Sequence, residues 1–283
     1  MDVRSNKTAG VQVAKIFIYL IMVFFTVMAL YPLLWLVMSS FKTTQEFQLE
    51  SKLALPKVWW WRNYVDAWVR GDFAILFTNS ILYTAVSTIA IVFFSCMAGF
   101  ALSKIKNKAT PFIYKSFVVG ILITLQCIMV PLFLMSCWTH LYNTRLGVLI
   151  CYIGIGMPMG IYLSTEYIRS IPDSLIESAK IDGAKYFQIF FQIIFQMSKP
   201  VATTLAILTI TGTWNEFMLI NILASSETIK SLPVGIQKFS GALASDYGKQ
   251  FAALVIGVIP MLAFYMSFRK QITKGVAAGA VKG

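Results

Sequence analysis

Six apolar runs of about 18 to 30 residues fill most of this chain, near 16–39, 73–102, 117–137, 146–167, 201–223 and 251–268. Crossing a hydrocarbon core of about 30 Å takes roughly 20 residues of helix. Lipid offers no partner to a bare N–H or C=O, so such a run crosses as a helix that bonds its own backbone. The predicted fold class is therefore an all-α polytopic membrane protein with six transmembrane helices. Composition agrees, since 58% of the residues are hydrophobic and only 13% are charged, against roughly 25% charged in soluble domains. Pro32, Pro131, Pro158 and Pro260 lie inside runs and mark places where a helix can bend.

A formal charge of +12 would suit a nucleic-acid binder, yet the lysines sit at the ends of apolar runs rather than on one amphipathic face. That placement is the positive-inside signal. Lys104, Lys106, Lys108 and Lys115 follow the second run with no acid among them, which marks 103–116 as cytoplasmic. With both ends and the 169–199 loop on that side, 15 of the 24 basic residues are cytoplasmic. The predicted organisation is a segment 1–15, a six-helix membrane domain 16–271 and a tail 272–283, with both termini in the cytoplasm. The first run is longer than the apolar part of a signal peptide, and no A-x-A site follows it. Outside, Trp59, Trp60, Trp61, Tyr64 and Trp68 form an aromatic cluster suited to the membrane–water interface.

The longest polar break on the basic side is 169–200. Ser170 and Asp173 have capping-box spacing, and Pro172 fits a first turn. The spacing predicts a helix over 173–181, with Asp173, Glu177 and Lys180 on one stripe and Leu175, Ile176 and Ala179 on another. Gly183 is the natural break. A second helix follows, with Phe187, Phe190, Phe191 and Ile194 on one face and Lys185, Gln188, Gln192, Gln196 and Lys199 on the other. A helix of two to three turns needs something to pack on. Leu175, Ile176 and Ala179 either fold onto their own bundle or dock on another protein.

No catalytic constellation is present. There is no H-E-x-x-H and no G-x-S-x-G, and Gly248-Lys249 lacks both the first Gly and the Ser or Thr of a phosphate loop. Cys96, Cys127, Cys137 and Cys151 lie in or beside apolar runs without C-x-x-C spacing and read as packing residues. His140 has no neighbouring ligand set. The informative polar groups at membrane depth are Gln126 and the string Thr213-Trp214-Asn215-Glu216-Phe217. A carboxylate there is desolvated unless it finds water or a partner. Glu216 either bonds a neighbouring helix, stands where a helix ends early, or lines a permeation path. Gly156 and Gly160 have the spacing that permits close helix contact, and Pro158 between them makes a local bend an equal alternative.

Glu177-Ser178-Ala179, then Gly183, then Ile193, resembles the EAA loop of ABC importer membrane subunits. The stretch Asp182-Gly183-Ala184 with Phe190 and Ile193 is similar to sugar permeases in particular. Ser178 stands for the family's middle Ala, and Phe195-Gln196 for its Leu-Pro. Thr213 to Phe217 and the tail 275–283 also resemble the carbohydrate-uptake group, organised like the smaller permease of the maltose system. Val276 stands for Leu and Ala277 for Thr in that tail.

The resemblance implies a cytoplasmic coupling helix in which Glu177, Ser178, Ala179, Asp182, Gly183 and Ala184 dock an ATPase. It implies a translocation pathway touched by Gln126, Trp214, Asn215 and Glu216, and a tail in which Gly279, Val281 and Lys282 reach the ATPase pair. It further implies a second homologous permease, two ATP-binding cassette subunits, an extracytoplasmic solute-binding protein that the 224–250 segment contacts, a sugar substrate, and a bacterial or archaeal cell membrane. No cofactor is expected in this chain, with ATP and Mg held by the ATPase subunits. A bulky or charged residue at Ala179 or Gly183 is expected to abolish transport and leave the chain in the membrane. A polyol phosphate, amino sugar or polyamine is the alternative cargo, although a cationic solute would want more deep acids than Glu216. An ion-coupled secondary transporter would want paired in-membrane carboxylates.

Overall fold

The structure is a computed structural model that describes residues 3–105, 107–239 and 246–280. In chain order its helices are α1 (Val3–Ser40), α2 (Thr44–Leu49), α3 (Arg62–Arg70), α4 (Phe73–Lys104), α5 (Thr110–Ile121), α6 (Leu125–Trp138), α7 (Arg145–Arg169), α8 (Asp173–Ile181), α9 (Tyr186–Ile189), α10 (Phe195–Met197), α11 (Lys199–Trp214), α12 (Met218–Leu223), α13 (Leu232–Ile236) and α14 (Tyr247–Ala280). One π turn, Phe190–Ile194, carries α9 into α10. No strand occurs among the described residues.

Four helices are long and apolar enough to cross a membrane unbroken, within α1, α4, α7 and α14. Two bent pairs raise this to six spans when each counts as one. The third run is not one straight helix, because α5 and α6 meet at 105°. Pro131 lies inside α6, so it is not the break. The second pair, α9 to α10 with α11, bends by 73°. The bend follows Met197, so the chain passes Phe195-Gln196 still helical and turns at Ser198. The fifth run is also divided, since α11 stops at Trp214 and α12 restarts at Met218.

Two compact units are distinguished. Residues 72–235 with 259–283 form one, built on the packing of α4 against α7. Small residues set that contact. A Cβ on Gly99 would lie 2.8 Å from Ser164 Cβ, and one on Gly160 or Gly156 would overlap Ser95 or Ile91. The expected close contact at Gly156 and Gly160 is thus made with α4. Near the ends of α4 and α7 that carry Lys104 and Arg169, a buried cluster joins Cys96, Phe100 and Ile168 to Ile176, Ala179 and Phe190. A second joins Tyr83, Val148 and Tyr152 to Leu219, Ile220 and Leu223.

Residues 1–71 with 236–258 form the other unit. Every side chain from Lys15 to Leu34 of α1 is exposed. Beyond α1, Phe41 packs edge-on against Trp59 and Trp61. Asn63 Nδ2 donates to the carbonyls of Ser40 and Lys42, at 2.8 Å each, which fixes the turn leaving α1. Asp246 accepts from Thr44 Oγ1 at 2.8 Å and pairs with Lys249 at 2.5 Å.

Candidate functional site

The helix predicted over 173–181 is α8, with those bounds. Its start differs from the expected capping box. α7 runs to Arg169, so Ser170 becomes the residue that ends α7 and its Oγ donates back to the Tyr167 carbonyl at 2.7 Å. Pro172 is the N-cap of α8, with no side-chain cap. At the other end Gly183 has φ +81°, a left-handed conformation that costs an L side chain roughly 1–2 kcal/mol. That turn lets the Ala184 N–H reach back to the Ala179 carbonyl at 2.9 Å.

Both alternatives for the apolar stripe are realised, by different residues. Ile176 and Ala179 are buried against their own bundle, at 5% and 8% exposure. Leu175, Glu177, Ser178, Lys180, Asp182 and Gly183 are exposed, and Ala184 is half-buried. Ile181 is 85% exposed and Phe187 72%. The outward surface therefore mixes carboxylates with large unpaired apolar side chains. Ala179 does not belong to that surface. A larger residue there would crowd the buried cluster that holds Ile176 and Phe190.

The root of this loop is tied by charge. Lys104, with its side chain 5% exposed, donates to the carbonyls of Arg169 and Ile171 and to Asp173 Oδ1, at 3.3, 2.5 and 2.6 Å. Beside it, Glu166 accepts from Tyr114 Oη at 2.5 Å and from Arg169 at 2.8 Å. The guanidinium lies over the Tyr114 ring.

Deeper in the bundle, Glu216 sits in the break between α11 and α12. Its carboxylate accepts from Tyr152 Oη at 2.8 Å and from the backbone N–H groups of Leu219 and Ile220 at 2.7 and 3.2 Å. An acceptor at a helix N-terminus satisfies donors that have no partner in the helix. Glu216 thus bonds a neighbouring helix, stands where α11 ends early, and lines a cavity of about 290 Å³ together with Tyr152, Thr209, Gly212 and Thr213.

The other membrane-depth residues do not join it there. Trp214 is buried, edge-on to Phe77, and lines a separate cavity of about 370 Å³ between α4, α11 and α14. Asn215 is exposed and donates to the Thr211 carbonyl at 2.9 Å. Gln126, exposed in the first turn of α6, lies 3.9 Å from Met218 Sδ. Gly279 lies within α14, while Val281 and Lys282 fall outside the described residues. In the 224–250 segment, α13 is held down, with Leu232 and Val234 buried. Gly241 to Ser245 lie outside the described residues.

Residues 91–277 match the family model described as the binding-protein-dependent transport system inner membrane component. The match spans more than half of the chain and contains α8, Glu216 and the cavity. The chain belongs to this permease family. A probable ABC transporter permease protein of Bacillus subtilis (strain 168), YurM, is 35% identical over 95% of the permease and 87% of its own length. The diacetylchitobiose uptake system permease protein NgcG of Streptomyces coelicolor is 30% identical over 93% and 87%. The fold of the permease matches that of a solved bacterial ABC transporter involved in alginate import, with TM-score 0.80 over 95% of the permease and 98% of that chain, at 24% identity. The permease is a multi-pass membrane protein of a binding-protein-dependent import system.

Tyr152 is not legible as Glu216's partner, since it lies in an apolar run without a distinguishing neighbour. Lys104 reads in sequence as one of four basic loop residues. Glu166 carried a weak signal, an acid at the end of the fourth run three residues before Arg169.

Proposed function

We propose that this permease is one of two membrane subunits of an ATP-driven importer of sugars or oligosaccharides. Its partners are a second homologous permease, two cytoplasmic ATP-binding cassette subunits that hold ATP and Mg, and an extracytoplasmic binding protein. The chain itself performs no hydrolysis, and both termini lie in the cytoplasm of a bacterial or archaeal cell. The observation that carries this reading is α8, a short helix anchored inward by Ile176 and Ala179 and closed by the left-handed Gly183. It leaves Leu175, Glu177, Ser178, Ile181, Asp182 and Phe187 exposed as a docking surface. Nucleotide-driven closure of the ATPase pair moves α8, and the bundle switches between inward- and outward-open states.

Relatives named for diacetylchitobiose uptake, multiple sugar-binding transport and arabinooligosaccharide transport support carbohydrate as the cargo class. The cavity favours neutral cargo as well. It holds one carboxylate, Glu216, already bonded by three protein donors, and a cationic solute would want more acids than that one. Gentle solubilisation of a tagged chain tests the assembly. Co-purification of a P-loop ATPase and a different permease, with ATP-dependent oligosaccharide uptake after reconstitution, is the expected result. Recovery of this chain alone, carrying solute on an ion gradient without ATP, would overturn it.

A further inference from the structure

The last turn of α4 ends on a single ammonium with three donors, and all three are used. Lys104 bonds the Arg169 carbonyl, the Ile171 carbonyl and the Asp173 carboxylate. The first two belong to the C-terminus of α7 and the turn after it, and the third to the first turn of α8. Each charge also sits at the helix end that favours it, a cation at a C-terminus and an anion at an N-terminus. Three helix ends therefore meet on one buried group. α8 cannot tilt against α4 and α7 without breaking bonds at that nitrogen.

The other end of α4 is tied as firmly. Asn79 Nδ2 donates to the carbonyls of Thr228 and Lys230 at 2.8 and 2.9 Å. Tyr83 Oη donates to the Ile229 carbonyl at 2.7 Å, and Ser80 Oγ accepts from the Leu232 N–H at 2.8 Å. These bonds hold the segment that leads into α13. Asn79 and Lys104 lie 25 positions apart on one unbroken helix, roughly 37 Å at 1.5 Å per residue, enough to span a bilayer core. No glycine or proline interrupts α4 before Gly99.

We propose that Lys104 is the positioning residue that makes α4 a strut, carrying displacement of α8 rigidly to the 228–232 segment on the opposite side of the membrane. This rests on the importer reading above. Lys104 touches neither cargo nor nucleotide. It sets how much of the motion of α8 arrives.

The test uses the whole reconstituted transporter and compares oligosaccharide imported with ATP hydrolysed. Lys104→Met keeps the side-chain bulk and removes the donors. It is expected to leave hydrolysis in place while the transport-to-hydrolysis ratio falls at least about fivefold, the low end for coupling between distant sites. Lys104→Arg, which can still reach carbonyls and a carboxylate, is expected to restore most of that ratio. Asp173→Ala, which removes one acceptor of three and leaves the carbonyl bonds, is expected to give a smaller fall. An unchanged ratio in Lys104→Met overturns the strut. Should Lys104→Met fail to assemble, an unchanged ratio in Asp173→Ala overturns it instead. Absence of ATP-driven uptake by the wild-type complex would refute the importer reading itself, a distinct outcome.

Discussion

Gly99→Ala is the sharpest test of the packing that organises the bundle. A Cβ at this position would meet Ser164 Cβ at 2.8 Å, the Ser164 carbonyl carbon at 2.9 Å and the Thr165 nitrogen at 2.9 Å. Two of the three are backbone atoms, so no rotamer change relieves the contact. Ordinary contact begins near 3.4 Å, so α4 and α7 must separate by about 0.5 Å over a close-packed interface. Overpacking of this kind costs about 1–3 kcal/mol, and the helix preference of Ala over Gly returns at most about 1 kcal/mol. Gly154 on α7 supplies the control, since a Cβ there meets nothing within 4 Å. Thermal unfolding of the purified permease in one detergent should place Gly99→Ala below wild type and Gly154→Ala at or above it. A Gly99→Ala midpoint equal to that of Gly154→Ala would refute the claim that the α4–α7 distance is fixed by the missing side chain.

Tyr152→Phe removes one donor from the Glu216 carboxylate, a bond to a charged group worth about 1.5–3 kcal/mol; Glu216→Gln also removes the charge and one acceptor and should destabilise more. Midpoints and uptake equal to wild type for both would show that the α11–α12 break does not depend on this cap. Ala179→Leu should destabilise the fold by the overpacking cost of about 1–3 kcal/mol and lower the unfolding midpoint, whereas Ser178→Leu, on the exposed face, should leave the midpoint alone and reduce only co-purification of the ATPase proposed above. Burial works to raise the Asp246 carboxyl, but the bonds from Lys249 and Thr44 outweigh it and hold the group below its ordinary value of 3.8. Its contribution is then present above about pH 4 and lost as pH falls through the lower folded-state value. Wild type should lose stability relative to Asp246→Asn as pH falls below about 4, and parallel acid curves for the two would contradict the assignment.

Much of the architecture was legible because its causes are local. Apolar length fixed where membrane-depth helices lie, with α4 and α7 within a few residues of their expected runs. The 3.6-residue period and Gly183 fixed α8, while the Gly156–Gly160 spacing allowed either a close crossing or a bend, and the structure shows the crossing. Where α5 parts from α6, no such signal existed. The 105° turn between α5 and α6 lies away from Pro131, and composition on its two sides is alike.

Partnership across the chain was likewise invisible. Glu216 could be singled out as a costly charge, but whether it faced lipid, water or a donor depended on Tyr152, 64 positions away. Ile176 and Ala179 share a stripe with Leu175, and only packing against Cys96 and Phe100 shows which of them turns inward. Lys104 reads in sequence as one lysine in a basic loop, and its role comes from α7 and α8 ending at the same point. Sequence by itself determined which segments must be helical in lipid and which residues are too polar to be there without reason. Tertiary structure alone decided who satisfies whom, because hydrogen bonds and close packing join positions that the chain order keeps far apart.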